Sequence, residues 1–277
     1  MGFRLRKLYA DIVGKDGTLV IAYATEVQAF GLSQAPSGIE YYSANGDRLI
    51  QRGLCLSSVD EILDAGSHKD FAFEVDGDRV ELTTQPLHCG FSPACPDELG
   101  FRWQCLHAKN ESTLRRSSDQ PSQLEGIGYI DYVELTRAPR ALRLSTLDWG
   151  RLHLQGGSIV FTKVTRTRGA EFAAACIWRD DQEKPVQITE FHLEHPDAAP
   201  LQLRLQTPQG EVIATLMPER VLHHGGAADN ARFPSLVERA FYSLIAGPIN
   251  ESRWLSRVHC DALGNGWAVH ESVRFSH

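Results

Sequence analysis

The stretch Gly126-Ile127-Gly128-Tyr129-Ile130-Asp131-Tyr132-Val133-Glu134-Leu135-Thr136 decides the fold. With the period of two that a β-strand imposes, Ile127, Tyr129, Asp131, Val133 and Leu135 share one face. Gly128, Ile130, Tyr132, Glu134 and Thr136 take the other. The odd-numbered row is apolar apart from one carboxylate, and it is expected to point into the interior. A buried acid costs several kcal/mol unless it is neutral, paired or hydrogen-bonded. Either the phase of the strand is off by one, in which case Tyr132 and Glu134 point inward, or Asp131 is there for a reason.

Alternation of this kind recurs along the chain. Before it come KLYADIV, TLVIAYATEVQAF, IEYYS, FAFEV, RVELTT and FRWQCLHAK; after it come ALRLSTLDWGRLHL, SIVFTKVTRT, AEFAAACIWR, VQITEFHLEH, LQLRLQT, EVIATLM, RWLSRVHCDAL and WAVHESVRF. Short turns separate them: Gly14 to Gly17, Ala44-Asn45-Gly46 and Asp76-Gly77-Asp78 each read as the bend of a hairpin. Helical signals are confined to Ser57–Gly66, with a serine N-cap, and the ambiguous stretch Pro234–Leu244. This pattern predicts an all-β chain of two antiparallel β-barrels or half-barrels with few short helices. The segment from Lys109 to Gln123 is polar, lacks periodicity and contains Pro121, so it is the expected boundary between domains at 1–117 and 118–277.

A chain of 277 residues with 42% hydrophobic residues can build a sizeable core. A formal net charge of -7 offers no basic footprint for nucleic acid or an anionic membrane. No apolar run suits a signal peptide or a membrane span, so the expectation is a cytoplasmic protein. Cys55, Cys89, Cys95, Cys105, Cys176 and Cys260 show no CxxC pairing and read as small buried hydrophobes. His88, Cys89, Cys95, Cys105 and His107 lack paired zinc spacing, and His223-His224-Gly225-Gly226 reads as a polar loop. No metal site is expected. There is no nucleophile elbow, P-loop or dinucleotide fingerprint, and no cofactor is expected.

Beyond the opening stretch, Trp149-Gly150-Arg151 follows a spacer and leads into an apolar strand. The order GxGYxD, spacer, WGR, apolar strand resembles the carotenoid 1,2-hydratases, also called hydroxyneurosporene synthases. These belong to a lipocalin-like group that includes the fungal Diels-Alderases of decalin biosynthesis. The resemblance is clearest from Gly126 to Val164 and extends more weakly to Phe241-Tyr242 and the C-terminal GNGWAVHESVRF. It implies two calycin-type barrels, an apolar pocket and no metal or organic cofactor. Where the family has a GYHDH run, this chain has Gly128-Tyr129-Ile130-Asp131-Tyr132, keeping the aspartate and neither histidine.

Asp131 is the first catalytic candidate, since an acid raised in pKa by an apolar surrounding can protonate an alkene. Hydrogen bonds to tyrosines or backbone amides are the alternative reason for its burial. Glu271 is the second, because it interrupts the row Val269, Val273 and Phe275; a salt bridge with Arg151 or Arg253 is its alternative. If the first and last strands of the second barrel are neighbours, Asp131 and Glu271 face one cavity. Tyr129, Tyr132, Trp149, Arg151, Trp178 and Tyr242 are the substrate-binding candidates, although tryptophans such as Trp149 and Trp178 are more often barrel plugs than substrate platforms. The expected function is a cofactor-independent acid-base enzyme that hydrates, isomerises or cyclises C=C bonds of an apolar isoprenoid or polyketide-like substrate. The alternative is a non-catalytic lipocalin-type carrier of an apolar small molecule.

Overall fold

The computed structural model describes residues 2–35, 37–56, 58–65, 69–75, 78–117, 122–169, 171–188, 190–194, 200–226 and 248–276. The turn residues Asp76 and Gly77, the proposed helix at Pro234–Leu244 and Tyr242 lie outside them.

Two nine-stranded antiparallel sheets account for nearly all the regular structure. The first contains β1 (Arg4–Gly14), β2 (Leu19–Ala29), β3 (Leu32–Gln34), β4 (Ser37–Tyr42), β5 (Arg48–Cys55), β6 (Phe71–Val75), β7 (Asp78–His88), β8 (Phe101–Ser117) and β9 (Ser122–Leu135). Its order is β1-β9-β8-β7-β6-β5-β4-β2-β3, and an additional β1–β2 pairing turns the sheet back on itself as a barrel. The Gly14–Gly17 and Ala44–Gly46 bends are where the sequence puts them, joining β1 to β2 and β4 to β5. Gly46 sits at φ 95°, a conformation that favours glycine.

The second sheet contains β10 (Leu144–Leu154), β11 (Gly157–Arg166), β12 (Phe172–Arg179), β13 (Val186–Ile188), β14 (Phe191–Glu194), β15 (Leu201–Thr207), β16 (Gly210–Gly226), β17 (Ile249–Cys260) and β18 (Gly264–Phe275). Its order, β13-β12-β11-β10-β18-β17-β16-β15-β14, has no return pairing among the described residues, which makes it a half-barrel. Two short α-helices, α1 (Val59–Asp64) and α2 (Pro139–Leu142), and one 3-10 turn at Asp97–Leu99 complete the described structure. Helix α1 starts at Ser58, whose side chain forms a capping box with Glu61, and it buries Val59 and Ile62 in the barrel. No helix among the described residues is long and apolar enough to cross a membrane.

The expected division at 117/118 is corrected by the strand pairing. Compact units comprise Met1–Ala94 with Gly100–Arg137, and Cys95–Leu99 with Ala138–His277. The polar segment read as a linker supplies the end of β8 and the start of β9, which pair with each other. Its polarity is that of a strand with one wet face: Glu111 and Arg115 are exposed, while Asn110, Ser112 and Leu114 are buried. The GxGYxD strand therefore belongs to the first barrel.

Each unit has its own core. Leu8, Ala10 and Ile12 of β1, Val20 and Ala22 of β2, and Phe71 and Phe73 of β6 fill the first barrel. Leu152, Phe161, Ile177, Leu203, Leu216 and Ala268 form the equivalent cluster of the second sheet. Burying a side chain of this size contributes roughly 1.5–3 kcal/mol, so these rows fix which face of each strand points inward.

Candidate active site

The register of β9 against β1 settles the phase of the opening stretch. Ile130 and Tyr132 belong to the barrel core, so Tyr129 and Asp131 occupy the opposite face. The expectation that Ile127 to Leu135 line the barrel interior through their odd positions is thus corrected. Both faces of β9 are buried here, since Tyr129, Ile130, Asp131 and Tyr132 are all inaccessible, and hydrophobicity alone does not tell two buried faces apart. The glycines mark the inner face: a Cβ on Gly128 would stand 2.4 Å from the Asp11 carbonyl oxygen. That close approach of β1 leaves no room for a side chain.

Asp131 is nonetheless well inside the protein, at 3% exposure. Trp103 Nε1 donates to its Oδ2 at 3.0 Å and the Tyr129 hydroxyl donates to the same oxygen at 3.1 Å. Phe91 fixes the indole edge-on, with ring centroids 5.9 Å apart, and its backbone bridges to Cys105 on β8. Cys105 lies directly across from Asp131 on that strand. Burial pushes the Asp131 carboxyl up to about 7, against the lowering influence of Trp103, Tyr129 and Lys7, and the neighbouring Asp11 adds to the rise. Both of its side-chain hydrogen bonds among the described residues end on Oδ2. An indole N–H can only donate, so Oδ2 serves as an acceptor toward Trp103.

On the second sheet, β10 runs between β11 and β18. Trp149 is opposite Glu271, and Arg151 is opposite Val269. His153 is opposite Ser158, which is itself opposite Trp178. Trp149, Arg151, Trp178 and Glu271 therefore share one face of this sheet, the one turned away from the Leu152, Phe161 and Ala268 cluster. It is a buried polar face: Arg151, His153, Ser158, Thr162, His223 and Arg253 are all inaccessible. Glu271 Oε2 lies 2.8 Å from Arg253 Nε, and Glu251 Oε1 lies 2.6 Å from Arg253 Nη2. Of the two arginines the sequence offers Glu271, Arg253 is the one it pairs with.

The structure does not bring Asp131 and Glu271 onto one sheet. The shared cavity assumed that the GxGYxD strand opens the second barrel; the strand beside β18 is instead β10. Tyr132 packs in the first barrel's core and donates its hydroxyl to Glu134 at 3.1 Å, away from Tyr129. His223 and His224 are part of β16 rather than a loop, with His223 buried and His224 Nδ1 2.9 Å from Ser252 Oγ. Among the described residues no three His, Cys, Asp or Glu side chains gather as a metal site.

Two residues of the Asp131 site escape a reading of the sequence, Trp103 and Asp11. Asp11 carried the same signal as Asp131: in KLYADIV the row Lys7, Tyr9, Asp11, Val13 alternates with the apolar row Leu8, Ala10, Ile12. Trp103 carried none beyond its alternation in FRWQCLHAK.

No protein-family model and no curated protein matches the sequence. Solved structures do match the fold. CghA with Sch210972 bound superimposes with a TM-score of 0.67 at 10% identity, over 99% of this chain and 89% of that one. A Nitrosomonas europaea protein assigned as AttH matches with a TM-score of 0.58 at 10% identity, over 100% of this chain and 94% of that one. Kievitone hydratase from Nectria haematococca matches with a TM-score of 0.54 at 11% identity, over 98% of this chain and 89% of that one. At such identities the likeness is one of architecture. The chain has the all-β, two-barrel fold that CghA, the AttH protein and kievitone hydratase share.

Proposed function

We propose that this chain is a cofactor-independent acid-base enzyme that hydrates, isomerises or cyclises C=C bonds in an apolar isoprenoid or polyketide-like substrate, with Asp131 as the proton donor. The observation that carries the reading is the anchoring of Asp131 through one oxygen: Trp103 and Tyr129 both hold Oδ2, which leaves Oδ1 to carry the proton in the proposed reaction. In the reaction the O–H bond at Oδ1 breaks, the alkene π pair forms the new C–H bond, and the adjacent carbon becomes cationic. The two donors already aimed at Oδ2 stabilise the carboxylate as its charge develops. Capture of the cation by water, with return of a proton to Asp131, completes hydration. Loss of a neighbouring C–H proton to the same carboxylate gives isomerisation; attack by a second C=C bond closes a ring and moves the cation to the far carbon of that bond, whose neighbouring C–H then returns its proton to Asp131 to complete cyclisation.

The fold neighbours support a search for small-molecule chemistry, since one is a hydratase by name and another was solved with Sch210972 bound. Tyr129, on the same strand face as Asp131, is the proposed substrate contact beside the donor. We place the activity in the cytoplasm, in keeping with six cysteines that form no disulfide.

The test incubates the protein in D2O with a panel of prenylated and polyene compounds and follows deuterium entering carbon by mass spectrometry. Asp131→Asn keeps the shape and accepts the same hydrogen bonds but has no acidic proton. It should lose roughly 100-fold to 10,000-fold of the incorporation rate while still binding the compound. Incorporation at the original rate by Asp131→Asn removes Asp131 as donor. Binding by the unsubstituted protein with no incorporation from any compound favours the non-catalytic carrier.

A further inference from the structure

Strand register lays out the face of the first barrel that carries Asp131 as a set of rows. Tyr23 on β2, Tyr9 on β1, Asp131 on β9 and Cys105 on β8 stand side by side in one row. The next row is Thr25, Lys7, Val133 and Trp103, and the one after it is Val27, Leu5, Leu135 and Phe101. In these three rows Asp131 is the one acid and Lys7 the one basic group. Exposure changes across them. Tyr9, Asp131, Cys105 and Trp103 are sealed from water, whereas Leu5, Lys7, Tyr23, Thr25 and Val133 are half-buried and form the margin of the face.

Lys7 stands at that margin, diagonal to Asp131 across the β1–β9 pair, a relation that spans about 7–8 Å between strands. Its ammonium leans over the rings of Tyr9 and Tyr23, 6.0 Å and 5.7 Å from their centroids, and so toward the row of Asp131. Burial raises the Asp131 pKa and the Lys7 charge opposes that rise, as a nearby cation does. Among the described residues the two rings are the ammonium's partners, with no hydrogen bond and no ion pair. Aromatic faces attract a cation but are poor acceptors for its three N–H groups. A half-buried ammonium in this condition, rising from the apolar neighbours Leu5 and Val133, is suited to an oxyanion attached to hydrocarbon.

We propose that Lys7 binds the head group of the substrate and that this head is a carboxylate, which makes the substrate class an unsaturated apolar acid. The ammonium takes the carboxylate, Leu5, Val133 and Leu135 take the apolar carbons beside it, and a C=C bond near the head comes to Asp131. The inference rests on the reading of Asp131 as proton donor and names the substrate class for that site. Its test reads binding rather than turnover.

The experiment measures calorimetric affinities of the full chain at neutral pH for farnesoic acid and for methyl farnesoate, which share one chain and differ in the charge of the head. The unsubstituted protein should bind the acid at least roughly 10-fold more tightly than the ester, as one charge-assisted hydrogen bond provides. Lys7→Met keeps the apolar stem and removes the charge. It should bind the acid no better than the ester, with its affinity for the ester unchanged, and Lys7→Arg should restore the preference. Lys7→Gln takes the place of Lys7→Met if the latter does not fold. A preference for the acid that survives in the folded neutral variant overturns the proposal, and so does an unsubstituted protein that binds the ester as tightly as the acid or binds neither. Deuterium incorporation then separates the two ideas. If Asp131→Asn abolishes it while the acid preference is independent of Lys7, the donor stands and the role of Lys7 falls. If the preference is lost in Lys7→Met and no compound of the panel turns over, the carboxylate anchor stands and the enzyme reading falls.

Discussion

The two sheets handle an acid in an apolar row in opposite ways. On the first, Asp131 receives its hydrogen bonds from the neutral groups Trp103 and Tyr129, and burial drives it toward the protonated state. On the second, Glu271 lies 2.8 Å from Arg253 and is part of an ion pair that also includes Glu251. One pattern in the sequence therefore stands for two different chemistries. What separates them is the partner across the sheet: Asp131 is flanked by Tyr9 and Cys105, while Glu271 is flanked by Trp149 and Arg253. An acid whose hydrogen bonds come from neutral donors is pushed by burial toward its protonated form, whereas an acid bonded to a guanidinium is part of an ion pair.

The contrast is sharpest in its pH dependence. Asp131 has a folded value near 7 against 3.8 for the free side chain, so between these limits the folded state holds a proton that the unfolded state has lost. Stability contributed by this group is present below pH 4 and is lost as pH rises toward 7, by about 4 kcal/mol in all. On the second sheet His270, stacked on Trp254 and 2.9 Å from Ser256 Oγ, is held down to about 3 by burial. Its sign is reversed: stability is lost as pH falls from 6.5 toward 3. Urea unfolding of the protein and of Asp131→Asn between pH 4 and pH 8 should give curves that diverge, with the unsubstituted chain falling relative to the variant as pH rises. Parallel curves would mean that Asp131 is ionised throughout, and the contrast would vanish.

A smaller effect is expected from Glu271→Gln, about 1–3 kcal/mol of stability, because Arg253 keeps Glu251. Deuterium incorporation should survive it. A loss of incorporation equal to that of Asp131→Asn, at unchanged Tm, would make Glu271 a second catalytic acid rather than a tie. The smallest change is Tyr129→Phe, which removes one hydrogen bond from Asp131 and should cost about 0.5–1.5 kcal/mol. Because that bond favours the charged form, the Asp131 titration should move upward, and a downward move would show that Tyr129 holds the neutral acid instead.

Alternation and turn chemistry determined the all-β architecture from sequence alone, since period two and the Gly14–Gly17 and Asn45-Gly46 bends are local properties. They also singled out Asp131 as an acid away from water and placed it on one strand face with Ile127, Tyr129, Val133 and Leu135. The identity of that face, and the partner of each acid, were decided only in three dimensions. A strand buried on both sides has two apolar rows, so Ile130 and Tyr132 competed with Tyr129 and Asp131 for the core, and only the approach of β1 to Gly128 chose between them. The neighbours of Asp131 come from Asp11 and Trp103, distant in sequence, and cross-strand register is a long-range property that no local pattern encodes. The polar run after Lys109 misled for the same reason, because a strand with one wet face looks like a linker until its partner strand is known.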